Sequence, residues 1–198
     1  MPQLILLTAL LLFAVFPLEA EPLLVKHDWP AASPCQDCQT LQFDELEFHL
    51  PRSLTGRIFV PDIGSASLVI LPRPDSDRAP ISILHEQKAV VWQFLESRGW
   101  LEKYAIGNTA DLLRLVGKTS ENDQDIAAMR QILGMEDVRS YTMYRKSPFT
   151  AFRVVPRDGE SWGYIVTDKD RKWYKLAGAI TDDAWSKLLA HLRLSTIH

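Results

Sequence analysis

Alternating apolar and polar positions begin at Leu41. Between Leu41 and Leu50 apolar side chains recur at every second position, with one change of register near Glu45, which predicts a bulged strand ending at Pro51. Two short β-branched runs follow, "GRIFVP" and "ASLVILP", and the turn-forming tetrapeptide "DIGS" separates them. We therefore expect a hairpin in this part of the chain.

The period of the pattern changes after the polar loop "RPDSDRAP". Apolar residues between Ile81 and Leu101 recur at spacings of three and four, which predicts a helix that ends or kinks at Gly99. A second helix is predicted with Thr109 as its N-cap, and a third from about residue 123 to residue 133. The middle of the protein is thus a predicted helical block, over about 81–134.

The last third of the chain returns to strand patterns. Two hairpins are predicted, over about 138–155 and 162–180, followed by a closing helix with Thr181 as its N-cap. The order is an N-terminal strand group, the helical block, two C-terminal hairpins and a terminal helix. This order predicts an α+β fold, a mainly antiparallel sheet with helices on one face.

The first residues have the pattern of a secretory signal peptide. The apolar run from Leu4 to Leu18 is shorter than the roughly 20 residues of a membrane span, and Ala20 suits a cleavage site. Because the start "MPQ" has no Lys or Arg, an uncleaved anchor stays as an alternative. The predicted organisation is a signal peptide over 1–20, an irregular arm with both cysteines over 21–40, and one α+β domain over 41–198.

Composition limits the partners and the compartment. Cleavage after Ala20 removes one acidic residue, Glu19, and leaves 22 basic and 24 acidic residues, a formal charge of −2. No basic face is expected, so nucleic acid is not a predicted partner. No membrane span is expected after cleavage, and the exported protein is predicted to be periplasmic or secreted, where cysteines are usually oxidised.

The only two cysteines, Cys35 and Cys38, lie in "SPCQDCQT". A c-type haem requires His where Gln39 stands, and a thioredoxin-like motif would follow a core strand and begin a helix. His27 and His49 would complete a set of four metal ligands, although their spacing matches no known zinc pattern. We predict a local disulfide, with a redox pair or a metal site as alternatives.

Four aromatic residues are candidates for a ligand-binding surface. Trp162, Tyr164, Trp173 and Tyr174 lie on the two strands of the last predicted hairpin. If their rings are exposed they form a stacking platform for sugars or peptides. The favoured alternative is that they pack in the core beneath the closing helix.

No catalytic motif emerges from the sequence, and no catalytic residue or cofactor is assigned. His85-Glu86 resembles the start of a metalloprotease helix, but position 89 is Ala where the second His is needed. The predicted function is an exported non-enzymatic accessory or binding protein whose ligand is an unidentified protein or small molecule. A binding protein of this kind should have an apolar groove or an aromatic patch.

Two alternatives to a binding protein are retained. One is a thiol-redox or metal protein that uses Cys35 and Cys38. The other is a secreted enzyme with a dispersed active site, in which polar residues from distant segments meet in one pocket. The candidates for such a pocket are Asp62, His85, Glu86, Arg145, Asp158 and Asp168.

Overall fold

The computed structural model describes residues 23–60, 67–72, 80–86, 88–118, 123–169 and 172–195. The predicted signal peptide, the "DIGS" turn and Asp62 lie outside these residues. No helix in the described ranges is long and apolar enough to cross a membrane.

Eleven strands and five helices form the described part of the chain, and the α+β class is confirmed. The strands are β1 Leu24–His27, β2 Cys38–Phe43, β3 Leu46–Pro51, β4 Arg57–Phe59, β5 Ser67–Leu71, β6 Ile81–Glu86, β7 Val138–Lys146, β8 Phe149–Pro156, β9 Trp162–Thr167, β10 Trp173–Gly178 and β11 Leu192–Leu194. The helices are α1 Lys88–Ser97, α2 Trp100–Lys103, α3 Thr109–Val116, α4 Gln124–Ile132 and α5 Asp182–Ala190.

Eight strands form one large sheet in the order β1-β7-β8-β9-β10-β6-β5-β4. All its neighbours are antiparallel except β1 and β7, which run parallel. A second sheet has three strands in the order β11-β3-β2, all antiparallel. The predicted hairpins at β4–β5, β7–β8 and β9–β10 are present as antiparallel pairs.

Layers cover both faces of the large sheet. Alternation along β8 directs Phe152 and Val154 towards helices α1 to α4, and Phe149 and Ala151 towards α5 and the small sheet. We call the face towards α1 to α4 the helical face, and the face towards α5 and the small sheet the hairpin face. The sequence predicted helices on one face of the sheet. Helices α1 to α4 lie together on the helical face, whereas α5 lies on the opposite, hairpin face.

Gly163 allows helix α5 to approach the hairpin face closely. A Cβ atom at Gly163 would clash with the Trp185 ring. Trp185 is 1% exposed, so the ring fills the space that the glycine leaves. This contact fixes α5 against the centre of the sheet.

Two boundaries differ from the sequence-based expectation. Ile81–Glu86 is strand β6 and not the start of a helix, because it pairs with β5 and β10 on both sides and buries Ile81 and Ile83. The helical block starts at Lys88. The arm is not irregular throughout, since Leu24–His27 pairs with β7 and Cys38 begins β2.

Capping side chains define where three of the helices begin. Asn108, one residue before the expected Thr109, caps α3 by accepting a hydrogen bond from the Asp111 amide. Asp123 caps α4 in the same way. Thr181 caps α5, as predicted, and accepts from the Ala184 amide.

Candidate functional site

The N-terminal arm crosses the hairpin face and is fastened to α5 by Trp29. The indole Nε1 of Trp29 donates a hydrogen bond to the carbonyl oxygen of Leu189 at 3.1 Å, and its ring stacks on Phe149 with 6.2 Å between centroids. Further along, the Arg52 amide donates to the Asp37 carbonyl at 2.9 Å. These contacts hold residues 29–37 between α5 and the small sheet.

Cys35 and Cys38 lie at disulfide distance, with 5.6 Å between their Cα atoms. Because Cys38 is the first residue of β2 and is paired with Pro51, the bond fixes the end of the arm to the small sheet. A disulfide favours an oxidising compartment.

The two histidines proposed as metal ligands lie apart from the cysteines. The His27 ring packs against Tyr144 at the edge of the large sheet, with 5.8 Å between centroids. His49, on the small sheet, is 2.7 Å from Glu47 and 3.2 Å from Thr40. In the ranges that the structure describes, no three His, Cys, Asp or Glu residues are grouped so that they could hold a metal ion.

A groove of about 370 Å³ runs between the arm and α5. We call it the arm–helix groove. It is lined by Pro30, Ala31, Ser33, Pro34 and Cys35 of the arm, by Pro51, and by Asp183, Ser186, Lys187, Ala190 and His191 of α5 and its C-cap. The helix residues recur at spacings of three and four, so one face of α5 forms a complete wall of the groove.

Apolar surface dominates the arm–helix groove. Proline and alanine side chains supply most of the wall on the arm side, whereas Ala190 is the apolar side chain that α5 contributes, and Ser33 and Ser186 supply hydroxyl groups. Lys187 is paired with Asp183 at 2.7 Å, so these two charges largely neutralise each other at the rim. From residue 183 to residue 191 the helix rises about 12 Å. The arrangement suits a narrow, mainly uncharged ligand with some hydrogen-bonding groups.

The four candidate aromatics do not form one exposed platform. Tyr164 and Trp173 stack on each other beneath the helical block, with 5.2 Å between centroids and 2% exposure each. Tyr174 is buried on the hairpin face. The rings separate because successive residues of a strand point to opposite faces. Burial raises the pKa of the Tyr164 hydroxyl well above its usual range.

Trp162 is the one ring of the four that is only partly buried. It lines a second cavity, of about 270 Å³, which we call the strand-end cavity. The other lining residues are Leu133 and Gly134 after α4, Glu160, Ser161, and Lys175, Ala177 and Gly178 of β10. This cavity and the arm–helix groove share no residue.

The five candidates for a dispersed active site that the structure describes line neither the arm–helix groove nor the strand-end cavity. His85 packs against the Tyr174 ring with 5.9 Å between centroids, and Glu86 ends the same strand. Asp168 accepts a hydrogen bond from the Ser147 hydroxyl at 2.9 Å. Arg145 and Asp158 are exposed.

A polar cluster at the β2–β3 turn was missed by sequence reasoning. Asp44 accepts hydrogen bonds from Lys172 Nζ at 2.7 Å and from the Tyr174 hydroxyl at 2.9 Å. Burial raises the pKa of Asp44, but the hydrogen bonds from Lys172 and Tyr174 outweigh it, and the pKa lies below 3.8. The only sequence signal was a turn between two strand-like runs, and its partners lie 128 and 130 positions away.

The α5 wall of the groove was also missed as a functional surface. Its residues occupy the polar side of a helix that the sequence predicts, but that pattern is typical of any exposed helix. The chain matches no protein-family model and has no significant similarity to a curated protein.

Proposed function

We propose that the protein is an exported, non-enzymatic accessory protein that binds a short, mainly apolar peptide segment of a partner protein. The arm–helix groove carries this proposal. Its two walls come from opposite ends of the chain, and Trp29 holds the arm at the distance from α5 that leaves the groove open.

The dimensions of the groove favour an extended peptide. An extended chain rises about 3.3 Å per residue, so the helix wall of about 12 Å is as long as about four residues. Exposed Asp183 and Ser186 at the rim leave the groove open to solvent, so a segment of a larger partner has access to it.

The chemistry of the walls favours an apolar peptide whose backbone N–H and C=O groups are available for hydrogen bonds. Proline and alanine side chains bury apolar ligand surface, at about 25 cal/mol per Å². Ser33 and Ser186 offer hydroxyl groups that both donate and accept hydrogen bonds, as peptide N–H and C=O groups require. A strongly charged ligand would gain little, because Lys187 already has Asp183 as its partner.

The disulfide and the predicted signal peptide support a periplasmic or secreted location. Cys35 lines the groove, so the oxidised arm is part of the proposed binding surface. The position of Cys35 in the groove also supports a second candidate function, thiol-redox chemistry, because a partner in the groove would lie against Cys35. Alkylation and intact mass measured with and without reductant separate the two, since a redox protein should cycle readily between oxidation states.

The proposal is tested by selecting binding peptides from a random heptamer display library with the protein purified from its export compartment. We expect enrichment of sequences with three or more apolar residues. The variant Ser186→Trp fills the groove and should weaken a selected synthetic peptide by about tenfold or more, which is about 1.4 kcal/mol.

Gln131→Trp is the matched control, because it adds the same ring on an exposed position of α4 outside the groove. It should bind the selected peptide as the unmodified protein does. Equal binding to both tryptophan variants, or no enrichment above the Ser186→Trp background, would exclude the groove as a peptide site.

A further inference from the structure

The strand-end cavity exists because small residues lie opposite a large one. Trp162 is paired directly with Ala177 across β9 and β10, and Gly178 has no side chain. On the helical side, Gly134 has a φ of 68° and turns the chain away after α4. The helical layer therefore stops short of the strand ends and leaves one edge of the indole next to a space of about 270 Å³.

Two opposite charges face this cavity without neutralising each other. Glu160 is exposed and Lys175 is half-buried, and neither forms an ion pair or a hydrogen bond with another described residue. Lys175 Nζ lies 6.0 Å from the centroid of the Tyr164 ring. The Ser161 hydroxyl donates to the Ile180 carbonyl at 2.8 Å, so its oxygen is left to accept a hydrogen bond.

We propose that the strand-end cavity binds a free amino acid with an apolar side chain. The ligand ammonium would pair with the Glu160 carboxylate, the ligand carboxylate would pair with Lys175 Nζ, and the side chain would pack on Trp162. Charge-assisted hydrogen bonds are stronger than neutral ones, so a ligand with both charges uses the lining of the cavity fully.

Other ligand classes fit the lining less well. A simple anion would be repelled by Glu160 and a simple cation by Lys175. A neutral ligand of the same size would form no ion pair with Glu160 or with Lys175. The volume lies near the lower limit of the roughly 300–1,000 Å³ typical of ligand pockets, which suits one amino acid and not a longer peptide.

The test uses L-leucine, L-leucinamide, which has no carboxylate, and N-acetyl-L-leucine, which has no ammonium. Binding is measured by isothermal titration calorimetry and by saturation-transfer NMR on the unmodified protein. L-leucine should bind in a saturable way, and each derivative should bind at least about tenfold more weakly. Absence of saturable leucine binding, or equal binding of all three compounds, overturns the proposal.

Charge-removing variants identify the cavity as the site. Glu160→Gln should weaken L-leucine about tenfold or more and leave N-acetyl-L-leucine unchanged, whereas Lys175→Met should weaken L-leucine and leave L-leucinamide unchanged. Glu136→Gln and Lys146→Met make the same changes at exposed positions outside the cavity and should alter nothing. Ala177→Leu, which fills the cavity, should abolish binding in a protein with an unchanged circular dichroism spectrum.

Leucine binding that weakens as much in the control variants as in the cavity variants would also overturn the proposal. The site does not depend on the arm–helix groove, so Ser186→Trp should leave leucine binding intact. Failure of the peptide selection and failure of the leucine titration are therefore separate results.

Discussion

The two faces of the large sheet are covered in different ways, one by a single continuous segment and the other by three separate segments. The helical face is covered by one continuous segment, α1 to α4, and its contacts are mostly buried rings and aliphatic side chains. The hairpin face is covered by three separate segments, the arm, the small sheet and α5. Burial holds both faces, but polar contacts at the edges also position the pieces of the hairpin face.

Those edge contacts explain why a groove forms on the hairpin face. Arg153 donates to the Ile180 carbonyl at 2.9 Å and fixes the start of α5, while Asp44 fixes the small sheet through Lys172. Trp29 fixes the arm to the other end of α5. Segments held by a few such contacts meet without filling all the space between them, whereas the continuous helical block leaves a space only where it stops short of the strand ends.

The largest expected effects come from the core on each face. Trp185→Ala removes a buried ring from the hairpin face and Trp173→Ala removes one from the helical face. Each should lower the free energy of unfolding by about 3–5 kcal/mol, because both leave a large cavity. Urea unfolding followed by circular dichroism measures the losses, and equal losses mean that burial holds the two faces equally.

The milder pair Trp185→Leu and Trp173→Leu repeats this comparison if the alanine variants do not fold. A loss below about 1 kcal/mol for the Trp185 variants alone would show that α5 is not part of the cooperative core. Polar contacts at the edges, and not the burial of Trp185, would then stabilise the hairpin face, and burial would not hold the two faces equally.

A second pair of variants compares one buried hydroxyl on each face. The Tyr141 hydroxyl donates to the Leu113 carbonyl at 2.9 Å in the helical core, and Tyr141→Phe leaves that carbonyl without this partner. We expect a loss of about 1–3 kcal/mol in urea unfolding. Tyr174→Phe should lose only about 0.5–1 kcal/mol, because Asp44 keeps Lys172 as a partner. The reverse order would contradict the distinction between the continuous cover of the helical face and the tethered segments of the hairpin face.

The fold class follows from the hydrophobic periodicity of short stretches of sequence. The elements that differ from the prediction depend on contacts between residues distant in sequence. Alternation and helical spacing are properties of short windows, so β7 to β10, α3 to α5 and the strand around Phe48 could be predicted. The segment from Ile81 to Glu86 could not, because a short apolar run fits both periods and only its pairing with β5 and β10 decides. The same holds for Leu24–His27, whose strand state depends on β7.

The candidate sites were less predictable than the fold. The arm that lines the arm–helix groove is fastened to α5 by the contact between Trp29 and Leu189, which are 160 positions apart, and no local pattern reports that contact. Glu160 and Lys175 are ordinary charged residues in sequence, and only the folded chain places both at the strand-end cavity with Trp162 and Ala177. Local patterns identified the disulfide because both cysteines lie within four residues.

The disulfide should have a smaller effect on stability than the core. Removing it with Cys35→Ala and Cys38→Ala together should lower the free energy of unfolding by about 1–2 kcal/mol or less, because the loop it closes is very short. Hydrogen exchange should increase in residues 30–37 and remain unchanged in β8, since Trp29 still fastens the arm. Reductant added to the unmodified protein should reproduce both results. A loss above about 3 kcal/mol would make the arm a core element of the hairpin face.

The smallest expected effect is the pH dependence of the tether at Asp44. Because the pKa of Asp44 is lower in the folded protein than its usual 3.8, the stabilisation from its ionised form is fully present above pH 3.8 and is lost as the pH falls through the lowered value. Asp44→Asn keeps a residue that tolerates the φ of 54° at this turn. The unmodified protein should be more stable than this variant by about 0.5–1 kcal/mol at about pH 5, and the difference should shrink by about pH 3.

The difference between the two proteins isolates Asp44, because every other acidic group titrates in both. Lys172→Met should reduce the pH-dependent part of that difference, since Lys172 is one of the two hydrogen-bond donors that lower the pKa of Asp44. Tyr174→Phe should reduce it in the same direction through the second donor. If the difference between the unmodified protein and Asp44→Asn is constant from about pH 5 to about pH 3, the carboxylate does not hold the small sheet through its charge. The small sheet would then be held by burial and by contacts other than the charge of Asp44.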